Sequence, residues 1–111
     1  MKKNLRHIPT GLAHNAAYIK RLISADDKRD EIATFNYAWL EKGKQIDTHS
    51  HPDGEEFYLF LEGNGEMLIG EDWTSVIKDD FITIPVNNKH SVRNTGNQNL
   101  VFITLRTISR K

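Results

Sequence analysis

Cysteine is absent from this chain of 111 residues. That excludes disulfide staples, thiolate metal ligands and a cysteine nucleophile, and it leaves histidine and carboxylate as the strong ligands available. An excess of charge is missing too, since fifteen Lys plus Arg balance fifteen Asp plus Glu. With no global field, composition favours neither nucleic acid nor an anionic membrane as partner. No apolar run approaches the ~20 residues of a spanning helix, and the basic residues among 1–10 are not followed by the apolar segment of a signal peptide. A soluble, cytoplasmic protein is expected, with a length that suits one domain.

What is present is a succession of short apolar runs separated by turn residues. Residues 33–40, ATFNYAWL, form a strand with Phe35, Tyr37 and Trp39 on one face, available to the core or to a subunit interface. Residues 56–61 form the next strand. Gly63, Asn64 and Gly65 then read as a tight hairpin from which 66–69 return antiparallel. Strands follow at 73–77, at 81–85, from His90 onward and at 100–108, with Trp73 as a half-buried cap. Ahead of them, residues 1–10 are a polar lead-in. Residues 11–23 leave strand and short helix both open, with an arm onto a neighbouring subunit as a further option, and 24–32 form a charged loop or a helical turn begun by Ser24. The expected organisation is an N-terminal arm and loop over 1–32 and a β-barrel over 33–111, together one structural domain. Short strands at regular spacing argue an antiparallel sandwich or barrel rather than a parallel α/β sheet.

Chemistry concentrates in residues 43–63, GKQIDTHSHPDGEEFYLFLEG. His49 and His51 stand two apart, so on a strand both point to one face, with Glu55 or Glu56 just beyond. Gln45 and Asp47 share the parity of His49 if the strand is regular. A second stretch, 79–94, DDFITIPVNNKHSVRN, has Pro85 ending a strand, Asn87 and Asn88 suited to a turn, and His90 opening the next strand. His7 and His14, in the N-terminal segment, read as solvated or locally bonded.

The two stretches together resemble the paired motifs of the cupins. In that family the first motif runs Gly, five residues, His-x-His, three or four residues, Glu, six residues, Gly. Here Gly43, His49, His51, Glu56 and Gly63 meet every spacing. The second runs Gly, five residues, Pro-x-Gly, two residues, His, three residues, Asn, and Asp79, Pro85, Asn87, His90 and Asn94 meet it with Asp79 and Asn87 in place of two glycines. Both replacements are residue types that tolerate left-handed backbone. The resemblance spans roughly 33–106 and implies an all-β fold, an antiparallel double-stranded β-helix or jelly-roll barrel.

It also implies a ligand set of His49, His51, Glu56 and His90. The Gly63 spacing selects Glu56, and alternation agrees, placing Glu56, Tyr58 and Phe60 on one face and Glu55 on the other. Three imidazoles and one carboxylate suit Fe(II), Mn(II), Ni(II) or Zn(II) and leave positions open to a ligand. Tyr58, Gln45 and Glu55 are the candidates for catalytic or pocket residues, and Arg93 and Arg106 are available to an anionic substrate or to surface ion pairs. The expected function is a metal-dependent enzyme, dioxygenase-like or isomerase-like, acting on a small molecule. The alternative is a non-catalytic small-molecule binding or sensing module. A homodimer is expected, because a small sheet protein has edges to cover and the family commonly pairs.

Overall fold

The computed structural model of the protein describes residues 1–109, and in these nearly all regular structure is antiparallel β. A six-stranded sheet has the order β1-β2-β3-β9-β4-β7 and a three-stranded sheet the order β6-β5-β8. The first comprises β1 (Thr10–Ala13), β2 (Ala17–Ile23), β3 (Ile32–Leu40), β4 (Glu56–Glu62), β7 (Phe81–Ile84) and β9 (Leu100–Thr107). The second comprises β5 (Asn64–Ile69), β6 (Asp72–Ile77) and β8 (His90–Arg93). The expected antiparallel jelly roll is therefore observed.

Residues 11–23, open between strand and helix, are strand, and β2 pairs with β3 through Tyr18↔Trp39 and Lys20↔Tyr37. The large sheet thus begins before residue 33, and Ala17 and Ile19 join the core. Ser24 does start a single 3-10 turn, Ala25–Asp27, with its N–H donating to Asp27 Oδ2 at 2.8 Å.

Alternation decides what each strand buries. Glu56, Tyr58 and Phe60 of β4 point between the sheets, as do Ala38 and Leu40 of β3 and Leu100, Phe102 and Thr104 of β9. Met67, Val76 and Val92 meet them from the small sheet, so the core is one apolar layer between the two sheets. Phe35, Tyr37 and Trp39 keep their common face, but it is the outer one: none is in the core, and Trp39 stacks on Tyr18 at 5.6 Å.

One expected feature does not form. Strand β4 does not pair with β5; it lies between β7 and β9, while β5 lies between β6 and β8. Residues 63–65 carry the chain from one sheet to the other rather than closing a hairpin. Gly63 has φ +84°, and a Cβ there would meet Asn99 O at 2.5 Å, so the corner needs both the left-handed backbone and the missing side chain. A glycine-rich turn signal marks a reversal of the chain. It does not say which strand the returning segment pairs with.

Candidate metal centre

Residues 43–49 run antiparallel to β8 without forming a continuous strand. Ile46 N donates to Val92 O at 3.0 Å and Asn94 N to Lys44 O at 2.9 Å; further along, His49 N donates to His90 O at 3.1 Å and His90 N to His49 O at 2.9 Å. The bridge partners are Gln45↔Arg93 and His49↔His90, so the register slips by one residue between them. This extra residue is a bulge, and it re-aims the side chains on either side. Ile46 is buried and His49 half-buried, whereas Gln45 and Asp47 are exposed. Gln45 is therefore not a pocket residue, because the regular alternation that would place it beside His49 is broken.

The second histidine stretch turns as its residue types require. Asp79 and Asn87 stand at φ +75° and +66°, the left-handed backbone expected of glycine substitutes. Asn88 N donates to Pro85 O at 3.2 Å to close the turn before β8. Asn94 locks the far end, its Nδ2 donating to Leu40 O and Gln98 O, both at 2.8 Å, and its Oδ1 accepting from Gly96 N at 2.9 Å.

With these elements in place, one donor atom from each of His49, His51, Glu56 and His90 lies within 4.8 Å of the others. Donors about 2.1 Å from an ion stand at most about 4.2 Å apart across it, so the group closes on a cation with small adjustments. Two of the imidazoles are oriented from behind. His49 Nδ1 donates to Asp47 O at 2.7 Å and His90 Nδ1 to Asn88 O at 3.0 Å. A carbonyl only accepts, so each Nδ1 carries the proton and Nε2 is left as the ligand atom, the arrangement that metal-binding histidines use. His90 Nε2 and His51 Nε2 then face Glu56 Oε1 at 3.0 and 3.4 Å. Neutral imidazoles would turn lone pairs toward a carboxylate there, and a metal cation or shared protons relieve that opposition. The donor set fits a divalent transition ion.

Electrostatics keeps the carboxylate charged. Burial alone would raise the Glu56 carboxyl, but protons shared with His51 and His90 across these contacts in the metal-free protein outweigh it and hold the group at about 2. Burial lowers His49 to about 4, opposed by its bond to Asp47 O and assisted by the neighbouring histidines. Burial raises the Tyr58 phenol well above its ordinary 10, with the Glu56 charge adding to the effect, so it stays a neutral hydroxyl.

A cavity of about 50 Å³ adjoins the cluster, and Glu56 forms part of its wall. Tyr58 also lines it, 3% exposed, with its ring 6.3 Å from that of His90. Glu55 does not. It faces a surface groove beside Pro52 and Val86, and its N–H donates to Thr107 Oγ1. Arg93 pairs with Glu66 at 2.9 Å and lies over Trp73, 3.8 Å from the ring centroid. Arg106 pairs with Asp53 at 3.0 Å. Both arginines are thus in ion pairs, and neither lines the cavity.

Two site residues were missed in sequence. His14, on the β1–β2 turn, stacks on His49 with centroids 3.8 Å and planes 12° apart. His14 and Asn15 both have positive φ, and Asn15 Nδ2 donates to Asp47 Oδ2 at 2.7 Å, fastening the turn over the cluster. Desolvation of its inner side lowers the His14 pKa, and Glu56 opposes this, so the ring is neutral at pH 7. The second is Asn36, in the cavity wall. A polar residue between Phe35 and Tyr37 on a β-strand was the available signal.

Residues 37–106 match the model of the cupin domain family. The chain is a cupin. Two curated relatives match over part of their length: an uncharacterized protein of Methanocaldococcus jannaschii, 38% identical over 55 residues, and the polyketide synthase CurC of Streptomyces cyaneus, 31% identical over 61 residues. Those segments cover 50% and 55% of this cupin but only 44% and 40% of the relatives, so the matched region spans less than half of either. Among solved structures, a predicted oxalate decarboxylase from Thermotoga maritima superposes with TM-score 0.90 at 21% identity, covering 98% of this chain and 100% of that one. The polyketide cyclase RemF from Streptomyces resistomycificus superposes with TM-score 0.81 at 17% identity, covering 98% and 80%. At such identities the likeness concerns the fold. No helix among the described residues is long and apolar enough to cross a membrane.

Proposed function

We propose that this cupin is a metal-dependent enzyme that binds one Fe(II), Mn(II), Ni(II) or Zn(II) ion through His49, His51, Glu56 and His90 and acts on a small oxygenated molecule. The observation that carries the reading is the orientation of His49 and His90, whose Nδ1 protons are tied to main-chain carbonyls so that the free nitrogens turn toward the buried Glu56 carboxylate. When bound, the ion supplies Lewis-acid polarisation or a position for dioxygen. The chain's own residues do the rest. Ile19, Ile46 and Phe102 keep the cavity apolar, Tyr58 offers a neutral hydroxyl, and His14 is a neutral base placed beside Glu56. An isomerisation that moves a proton on an enolisable substrate uses all of these groups. The relatives named as a polyketide synthase and a polyketide cyclase agree with carbonyl chemistry.

Metal analysis of protein purified without chelators tests this reading, followed by activity screens with and without oxygen. One transition ion per chain is expected, with His51→Ala losing both the ion and turnover. No transition metal after reconstitution would sink it. One observation favours the second reading, a non-catalytic binding module: among the described residues Glu56 is the only carboxylate in the cavity wall, so His14 is left as the base there if the metal takes Glu56. Turnover that survives His14→Ala unchanged removes His14 from the chemistry, and ligand binding without turnover under every condition favours the module.

The reading includes a homodimer. Phe35, Phe57, Leu59, Phe81, Ile103 and Leu105 form an apolar groove on the outer face of the large sheet, with Phe81 61% exposed and stacked on Phe57 at 5.8 Å. A second copy would cover this face, and sedimentation would show twice the chain mass.

A further inference from the structure

Across the large sheet, Asn36 of β3, Thr104 of β9 and Tyr58 of β4 stand side by side in register and all line the cavity beside Glu56. The rest of that wall is mainly apolar, and among the described residues it contains no Lys or Arg. Within this row Asn36 is anomalous, because its Oδ1 is buried and has no hydrogen-bond partner. A buried carboxamide oxygen without a partner is a standing cost to the folded protein, and natural proteins retain such groups where something else satisfies them.

We infer that Asn36 is the residue that selects the ligand of this site, by hydrogen-bonding the polar end of a small molecule whose other end is held at the metal. The inference rests on the metal reading above and adds to it a ligand class. Strand β9 lies between β3 and β4, so the ligand has to reach across the sheet from ion to carboxamide. The cavity of about 50 Å³ corresponds to about four waters, which sets a ligand of about four to six non-hydrogen atoms. A divalent ion and the Glu56 carboxylate leave one positive charge, and among the described residues the wall supplies no Lys or Arg to add to it. A ligand with a single negative charge therefore leaves the site neutral, whereas a second carboxylate would be buried without a counter-ion. The class is a small hydroxylated or carbonyl-bearing monocarboxylate, or its enolate counterpart.

The test uses two probes of equal charge and nearly equal shape, 3-hydroxypropionate and butyrate, which differ in a terminal hydroxyl or methyl group. Each is titrated into zinc-loaded wild-type protein and into zinc-loaded Asn36→Leu and Asn36→Ala, with zinc content measured on the same samples. Both substitutions should weaken 3-hydroxypropionate about tenfold and leave butyrate unchanged or tighter, at unaltered zinc content. Without ligand, Asn36→Leu should melt about 4 °C higher, because it removes an unpaired buried polar atom. A merely structural asparagine would instead melt lower when replaced. Equal weakening of both probes, unchanged affinity for 3-hydroxypropionate, or no binding of it by the wild type overturns the assignment. Failure of the wild type to hold zinc overturns the metal reading itself, and the zinc measurement tells the two failures apart.

Discussion

Replacing Glu56 with Gln keeps the shape of the side chain and removes its charge, so it isolates what the buried carboxylate does. In the metal-free protein Glu56 is 7% exposed and faces His90 and His51 at 3.0 and 3.4 Å. Its pKa is held at about 2 against an ordinary 4.5. At about 1.4 kcal/mol per tenfold, that difference corresponds to roughly 3 kcal/mol of stability at neutral pH. Because the folded-state value is depressed, this stability is fully present above pH 4.5 and is lost as the pH falls through 2. His49, depressed to about 4 by burial, acts in a separate window: its stabilising contribution is present above 6.5 and lost as the pH falls toward 4. Its half-exposed ring makes that second contribution the smaller. Urea denaturation of metal-free wild type and Glu56→Gln from pH 7 to 3 separates the two. Glu56→Gln should be about 2–3 kcal/mol less stable at pH 7, should retain the loss between pH 6.5 and 4, and should lack the further loss below 4.5. It should also gain no stability from added metal, whereas the wild type gains about 2.7 kcal/mol at a hundredfold excess over the dissociation constant. Equal slopes below pH 4.5, or a variant as stable and as metal-responsive as the wild type, would refute the reasoning.

Two structural predictions accompany it. Gly63→Ala places a Cβ 2.5 Å from Asn99 O at φ +84°, and chemical denaturation should show a loss of about 2 kcal/mol or more. Asn94→Ala deletes three hydrogen bonds in the loop after β8 and leaves Leu40 O without its partner. A loss of about 2–3 kcal/mol is expected, with metal content retained, since Asn94 touches none of the four ligands.

The sequence carried much of the fold, because strand alternation and turn residues are local properties. Strands β3 to β9 begin within two residues of their expected positions, those given an expected end finish within two residues of it, and the left-handed Asp79 and Asn87 stand where the motif spacing requires. The grouping of His49, His51, Glu56 and His90 was legible for a different reason: the resemblance to the paired cupin motifs implies a barrel that brings these distant residues together. The hairpin at residues 63–65 was misread because a turn signal does not identify the pairing partner. Gln45 was misplaced because a one-residue bulge depends on the strand opposite and leaves no mark on alternation within its own segment.

Sequence by itself determined that this chain has a jelly-roll core and which four residues form its cluster. Only the tertiary structure decided that His14 stacks on His49 from a separate hairpin, that Asn36 stands in the cavity wall with an unpartnered oxygen, and that Arg93 and Arg106 are in ion pairs outside the cavity. The physical reason is the same for each. The surrounding residues lie on strands or turns tens of residues away, and burial and hydrogen-bond satisfaction exist only after the sheets have closed.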